Sequence, residues 1–200
     1  MVLHGVTHKA TIESCYHKGN IEVTDGKNIG GITGQSNYGM IYACYHIGDI
    51  SLKGTEQIEY VGGISGLQHQ SVQRCYAIGN IRSQNTNADS LIGGLIASRG
   101  ISLNIEHNYA QMLVEAKHNM VGSLIGSVRG SELMQENYTV KTNGKPIGNM
   151  ESITEDKIKQ LEENMTNQEL CNVLNKNSNK DLFKEDTHNQ NNGYPVLSWQ

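Results

Sequence analysis

The chain contains 200 residues and carries a formal net charge of −4, from 16 Lys and Arg against 20 Asp and Glu. Because neither half is basic, the clustered cations that neutralise phosphates are missing, and the sequence predicts no nucleic-acid partner. One Phe and one Trp exclude a conventional aromatic core, whereas the 22 Gly exceed the usual share of about 7%. No apolar run approaches the ~20 residues of a membrane span. No secretion signal precedes the first patterned residues, so we expect either a cytosolic chain or one whose front end is missing.

Two short blocks alternate along residues 1–145. The first reads hydrophobic-x-x-Cys-Tyr and occurs at 12–21, 41–50 and 72–81, with weaker copies at 105–109 and 134–138. The second reads Gly-Gly-hydrophobic-x-Gly and occurs at 29–34, 61–66, 92–97 and 121–126. Residues 3–7 look like the end of an earlier glycine block, so we expect a truncated first coil and a larger parent protein. A fixed period of this kind is typical of repeat architectures.

The two blocks predict short strands, because they contain β-branched residues and Tyr and show no 3.6-residue period. A single repeat cannot bury its apolar side, whereas stacked repeats bury a continuous core. We therefore predict an all-β fold, a parallel and right-handed β-helix over residues 1–145, with about four to five coils and a length of roughly 20–25 Å. The paired glycines are expected to let the backbone turn tightly where a side chain would clash, through positive φ. Hairpin glycines in a β-sandwich are the alternative.

The alternating blocks resemble the GLUG-motif repeats of bacterial surface and secreted proteins. Such repeats also accompany secreted metallopeptidases of the immunoglobulin-A protease type. The resemblance covers about residues 3–145, although Asn108 and Asn137 stand in place of Cys and Ser123 in place of the second Gly. It implies a β-solenoid and an extracellular or cell-wall location, and it implies no single activity.

Residues 146–200 lack the repeat and are predicted to form a capping segment. Thr154 is positioned to cap a helix that carries Ile158, and Thr166 with Glu169 forms a capping box for a second helix. Residues 193–199 read as an edge strand that tolerates Pro195. We expect these elements to dock on the last coil, over residues 121–125, because an uncovered coil would expose its core and its strand edge.

One position of the repeat predicts a structural ladder inside the coils. Its members are Cys15, Cys44, Cys75, Asn108 and Asn137. Stacked Asn side chains can pair their amides between coils, and we expect the three thiols to be reduced and inaccessible. A disulfide or a metal site stays open as the alternative, although no CxxC motif is present.

The next position predicts a second column on the opposite side of the strand, facing solvent. It consists of Tyr16, Tyr45, Tyr76, Tyr109 and Tyr138. Exposed aromatic rings can stack on sugars or contact proteins, so we take this column as the candidate ligand-binding surface. The alternative is that the rings only cover their neighbours.

Motifs for catalysis are missing from the sequence. It has no HExxH, and its acidic residues are scattered. His17 and His46 occupy equivalent positions, but two nitrogens rarely hold zinc. We therefore expect no enzymatic activity, metal or cofactor, and predict an adhesin-like or stalk module at the cell surface whose partners are host or cell-wall glycans or proteins. The alternatives are a β-helix enzyme acting on polysaccharide and a spacer beside a peptidase domain.

Overall fold

The computed structural model describes residues 6–7, 10–24, 26–53, 59–84, 87–98, 104–117, 120–128, 133–141, 144–150 and 157–200. These residues form short strands that pair almost entirely in parallel, together with one short helix. Each strand lies beside the equivalent strand of the next repeat, which confirms the predicted parallel β-solenoid.

The strands are grouped into six coils in chain order. Coil 1 contains β1 (Val6–Thr7), β2 (Thr11–Glu13), β3 (Tyr16–Lys18) and β4 (Ile21–Val23). Coil 2 contains β5 (Asn28–Gly30), β6 (Thr33–Ser36), β7 (Met40–Tyr42), β8 (Tyr45–Ile47) and β9 (Ile50–Leu52). Coil 3 contains β10 (Tyr60–Gly62), β11 (Ser65–Gln68), β12 (Val72–Gln73) and β13 (Tyr76–Ser83). Coil 4 contains β14 (Leu91–Gly93), β15 (Asn104–Glu106) and β16 (Tyr109–Glu115). Coil 5 contains β17 (Met120–Gly122), β18 (Ile125–Val128), β19 (Leu133–Gln135) and β20 (Asn137–Val140), and coil 6 contains β21 (Ile147–Met150) and β22 (Ile158–Leu161).

The repeat position, and not the loop length, sets the register between coils. Tyr16 pairs with Tyr45, Tyr45 with Tyr76, Tyr76 with Tyr109, and Tyr109 with Tyr138. The glycine blocks pair in the same way, with Val61 opposite Ile29 on one side and Ile92 on the other. Buried Ile, Leu and Val side chains from all six coils fill the interior as one cluster, so stacking supplies the core that one coil cannot.

The paired glycines are required by close backbone approach. A Cβ atom on Gly62 would lie 2.2 Å from the carbonyl oxygen of Ser65, and one on Gly63 would lie 2.3 Å from the carbonyl oxygen of Gly94 in the next coil. Neither residue has a positive φ. The expected clash with a side chain is therefore confirmed, whereas the expectation of positive φ was wrong, because close backbone approach within and between coils selects glycine here.

The solenoid continues beyond residue 145, where the sequence placed its end. β21 pairs in parallel with β18, and β22 pairs in parallel with β20. The predicted helix carrying Ile158 is wrong, because Ile158–Leu161 is the last strand of the stack; its proposed cap, Thr154, lies outside the described residues. Leu124 and Ile125 donate backbone hydrogen bonds to the carbonyl oxygen of Pro146, so coil 6 covers the block that the helices were expected to cap.

Residues 162–200, called here the covering segment, run back along the side of the rod. They contain the helix α1 (Asn167–Asn175), with the predicted capping box at Thr166 and Glu169. They also contain an antiparallel pair, β23 (Phe183–Lys184) and β24 (Val196–Leu197). No helix in the described part of the chain is long and apolar enough to cross a membrane.

Candidate functional site: the tyrosine column and its covering segment

Coils 1 to 5 make the same turn immediately before the ladder position. The turn residues have left-handed φ values between 50° and 56°, and Ala43 (φ 50°) and Arg74 (φ 56°) mark the two limits. The equivalent residues are Ser14, Ala43, Arg74, His107 and Glu136. A left-handed residue bends the chain sharply between two strands, and it sets the side chain that follows into the rod and the next Tyr on the outer face.

The structure brings the predicted ladder residues into one column. The backbone N–H of Cys15 donates to Cys44 Sγ at 3.4 Å, and that of Cys75 donates to Asn108 Oδ1 at 2.9 Å. Asn108 in turn donates from Nδ2 to Asn137 Oδ1 at 2.9 Å. Cys44, Asn108 and Asn137 therefore each accept a backbone hydrogen bond from the preceding coil, which explains why Cys and Asn exchange at this position.

The four cysteines are free thiols. Cys44 and Cys75 are fully buried, whereas Cys15 is exposed, so the expectation of three inaccessible thiols was wrong for Cys15. A hydrogen bond with the Cys44 thiol, followed by burial, raises the pKa of Cys15 well above its usual value. Among the described residues, no group of three or more His, Cys, Asp or Glu is placed to hold a metal ion.

The five tyrosines form the predicted column on the outer face of the sheet. The rings of Tyr16 and Tyr45 stack with centroids 5.1 Å apart, and those of Tyr45 and Tyr76 with centroids 4.8 Å apart. Only Tyr16 is exposed, at 43%, whereas Tyr45, Tyr76 and Tyr109 are at 0% and Tyr138 at 9%. The expected solvent-facing column is therefore wrong for four of the five residues, because the covering segment lies over it.

A second hydrophobic core lies between the tyrosine column and the covering segment. The segment contributes Leu170, Leu174, Leu182, Phe183 and Leu197 to it. The buried hydroxyl groups find partners in the same segment. Tyr45 donates to Gln200 Oε1 at 3.1 Å, Tyr76 donates to the carbonyl oxygen of Pro195, and Tyr109 accepts from the backbone N–H of Met165 at 3.4 Å. Burial raises the pKa of Tyr45 to about 12.

Charged groups fix the covering segment at coil 5. Lys176 Nζ lies 2.9 Å from Glu136 Oε1, and the hydroxyl of Tyr138 donates to Glu136 Oε2. The Tyr138 hydroxyl, and then Lys176, lower the pKa of Glu136 to about 2. Lys159 Nζ lies 5.2 Å from the centre of the Tyr138 ring, which makes a cation–π contact at the end of the column. A cavity of about 610 Å³ beside Tyr138 is lined by residues 161–166 and by Glu169, Asn172 and Val173 of α1.

His17 and His46 form a stacked pair inside coils 1 and 2. Their rings are nearly parallel with centroids 5.1 Å apart, and their Nδ1 atoms are separated by 3.1 Å. His46 is fully buried, and desolvation, with a smaller contribution from His17, lowers its pKa to about 4. The Nδ1–Nδ1 contact is a hydrogen bond in the tautomer pair in which one Nδ1 carries the proton and the other accepts it.

An exposed aromatic surface lies at coil 1. Trp199 is 62% exposed, and its ring centroid lies 6.0 Å from that of Tyr16. A cavity of about 330 Å³ opens between them and is lined by Ser14, Cys15, His17, Gly31 and Ile32. Trp199, Gln200 and Arg74 were not identified as site residues from the sequence, because their partners lie more than 90 residues away along the chain.

No protein-family model matches the chain, and no curated protein matches it. Among solved structures, the chain is similar to a crystal structure of a "putative immunoglobulin A1 protease" from Bacteroides ovatus, with a TM-score of 0.58 and 19% sequence identity. The similarity covers 95% of this chain and 58% of that one, so the chain spans less than two thirds of that protein. At this identity the likeness shows the β-solenoid fold alone.

Proposed function

We propose that the chain is a non-enzymatic β-solenoid module of a larger exported bacterial protein of the GLUG-repeat type, with a structural, stalk-like role outside the cell. The observation that carries the proposal is the buried tyrosine column. The covering segment contacts coils 1, 2, 3, 4 and 5 in turn, and it thereby ties separate coils into one unit. In a simple stack, each coil contacts only the coils next to it. The covering segment also links coils that are not neighbours, so it makes the unfolding of the whole rod more cooperative. This property suits a load-bearing rod.

Two surfaces remain candidates for adhesin-like binding to host or cell-wall glycans or proteins. The first is the Tyr16 and Trp199 surface, because aromatic side chains with one apolar face and one polar group suit such contacts. The second is the set of variable links between coils. Tyr45, Tyr76, Tyr109 and Tyr138 are excluded as direct ligand contacts while the covering segment is in place.

The enzyme alternative is tested by incubating the purified chain with a panel of plant, bacterial and host polysaccharides. Release of reducing ends and absorbance from unsaturated products at about 235 nm would report hydrolase and lyase turnover respectively. We expect neither signal to exceed that of the heat-unfolded chain. Turnover that scales with the concentration of the folded chain would contradict a structural role.

Location is tested with antibodies against the chain. We expect them to bind intact cells of the source bacterium, and to bind no more strongly after permeabilisation. Staining only after permeabilisation would overturn the proposed location without affecting the fold.

A spacer role beside a peptidase domain is the second candidate. The likeness to the Bacteroides ovatus structure named for a protease supports it. The complete open reading frame decides between the two, because a zinc peptidase domain carries an HExxH motif. Its presence would favour the spacer, and a surface anchor without it would favour the adhesin-like stalk.

A further inference from the structure

We propose that the outer edge of coil 1 is a docking surface for one further parallel β-coil of the same repeat. Such a coil would place Cys or Asn against Cys15 and a Tyr ring against Tyr16. The proposal is independent of the function proposed above, since it concerns only which polypeptide structure this edge accepts.

The backbone hydrogen bonds at the ladder position all run in one direction, from each coil to the preceding one. The N–H of Tyr45 donates to the carbonyl oxygen of Cys15, and the N–H groups of Tyr76, Tyr109 and Tyr138 donate to the ladder residue of the preceding coil in the same way. The described residues supply no such carbonyl oxygen to the N–H of Tyr16. An unpaired strand edge of this kind is a template for a further strand.

The ladder side chains accept hydrogen bonds in the opposite direction, from the backbone of the preceding coil. Cys44 Sγ accepts from the N–H of Cys15, and Asn108 Oδ1 accepts from the N–H of Cys75. Among the described residues, none donates a backbone hydrogen bond to Cys15 Sγ. Coil 1 therefore presents both groups that an incoming coil would use, a donor at Tyr16 and an acceptor at Cys15.

Exposure and shape agree with this assignment. Tyr16 is 43% exposed, whereas Tyr45, its equivalent in coil 2, is at 0%. The cavity of about 330 Å³ at this edge is bounded by Trp199, which stands beside Tyr16 at the far end of the covering segment. A Tyr ring stacked about 5 Å from Tyr16, the spacing found within the column, would lie beside the Trp199 indole.

The opposite end of the rod is built differently. In coil 6, Ile158 occupies the position opposite Asn137, and Lys159 occupies the position opposite Tyr138. An Ile cannot continue the hydrogen-bonded ladder, and the Lys159 ammonium group ends the aromatic column. The two ends are therefore unequal, and continuity with the existing ladder selects a further repeat coil as the occupant of the coil 1 edge, in preference to the coil 6 end of a second copy.

The test is a fusion in which a copy of residues 40–68 replaces residues 1–7. Gln68 and Thr7 occupy equivalent positions, because both are in register with Ser36, so the added coil enters in register. Cys44 of the copy is changed by Cys44→Asn, which leaves Cys15 as the exposed thiol. We expect maleimide labelling of Cys15 under native conditions to slow at least about tenfold, and the emission of Trp199, the only Trp, to shift to shorter wavelength.

A matched control carries the same residues of the copy in scrambled order, and Cys15 should then react as fast as in the parent chain. A second fusion, with a copy of residues 104–128 in place of residues 1–7, contains no Cys and should protect Cys15 equally. Unchanged labelling in a fusion that melts cooperatively would overturn the proposal, as would failure of both fusions to fold. It would also be overturned if the parent chain sediments as a dimer in which Cys15 is already protected, because a second copy would then occupy the edge.

Discussion

The guanidinium group of Arg74 donates a hydrogen bond of 2.7 Å to the carbonyl oxygen of Leu174, although 100 residues separate them in sequence. Arg74 lies in the left-handed turn of coil 3, and Leu174 lies in the last turn of α1. The last carbonyl groups of a helix have no donors within the helix. Arg74 therefore completes the end of α1 and fixes the covering segment to the rod through one buried contact.

Replacing Arg74 should weaken this attachment. We expect Arg74→Ala to lower the free energy of unfolding by about 1–3 kcal/mol, since it leaves a buried carbonyl oxygen without its donor. The backbone tolerates Ala here, because Ala43 has φ 50° at the equivalent position of coil 2. Urea denaturation measures the change. Lys53→Ala, which removes an exposed ion pair with Glu22, is the control and should leave stability nearly unchanged; equal effects from the two variants would contradict the assignment.

Removing residues 162–200 should expose the tyrosine column. We expect the truncated chain to self-associate and to melt at a lower temperature, because the second hydrophobic core loses one of its two sides. Size-exclusion chromatography and thermal melting followed by circular dichroism measure these changes. Trp199→Ala is the control, since it removes only an exposed ring at the end of the segment. A monomeric truncated rod with an unchanged melt would show that the segment is an independent appendage.

Stability should fall in acid through His46. Burial lowers its pKa from 6.5 to about 4, so the unfolded chain binds a proton over this range while the folded chain resists it. Stability is therefore complete above about pH 6.5 and declines as the pH falls toward 4, by up to about 3 kcal/mol. The substitution His46→Ala suits this test, because the equivalent residues of coils 3 and 4 are Ala77 and Ala110.

Urea midpoints measured between pH 7 and pH 4 test this expectation. The slope of stability against pH should flatten in His46→Ala and should stay as in the parent chain in His188→Ala, which changes an exposed histidine. An unchanged slope in His46→Ala would assign the acid sensitivity to other groups. Glu136, whose pKa lies at about 2, contributes only at lower pH, because its stabilisation is lost as the pH falls from about 4.5 toward 2.

The exchange of Asn and Cys along the ladder can be tested at Asn108. Its side chain accepts from the N–H of Cys75 and donates to the carbonyl oxygen of Val72. Asn108→Leu leaves both buried groups without partners and should cost at least about 2 kcal/mol. Asn108→Cys should cost less than half as much, because a thiol accepts the equivalent bond in Cys44. Equal losses of unfolding free energy from the two variants would show that size, and not hydrogen bonding, selects the residue.

The stacking of the coils could be predicted from the sequence because it depends on local, repeated information. Gly-Gly marks where backbones approach closely, and Cys-Tyr marks one inward and one outward side chain. The alternation itself was correct, since the Cys44 and Tyr45 side chains belong to two different cores. The opposite directions of these two side chains were thus predicted correctly, although the sequence did not indicate what covers the Tyr ring.

The covering segment and coil 6 could not be predicted in the same way. Ile158 and Leu161 are three residues apart, which fits one face of a helix as well as two positions of a short strand. Pairing with β20 decides the outcome, and that pairing is a tertiary effect. The burial of Tyr76 depends on the carbonyl oxygen of Pro195, so no pattern near Tyr76 itself indicates that its ring is covered.

Because the covering segment runs back along the rod, coil 1 and the last residues of the sequence lie at the same end of the rod. Gln200 bonds to Tyr45, and Trp199 lies against Tyr16, whereas coil 6 lies at the other pole, roughly 20–25 Å away for six stacked strands. Any polypeptide joined before coil 1 or after Gln200 would meet the rod at the same place. Coil 6 would then be the free tip of the module, and coils 1 and 2 together with the end of the covering segment would form its junction with the parent chain.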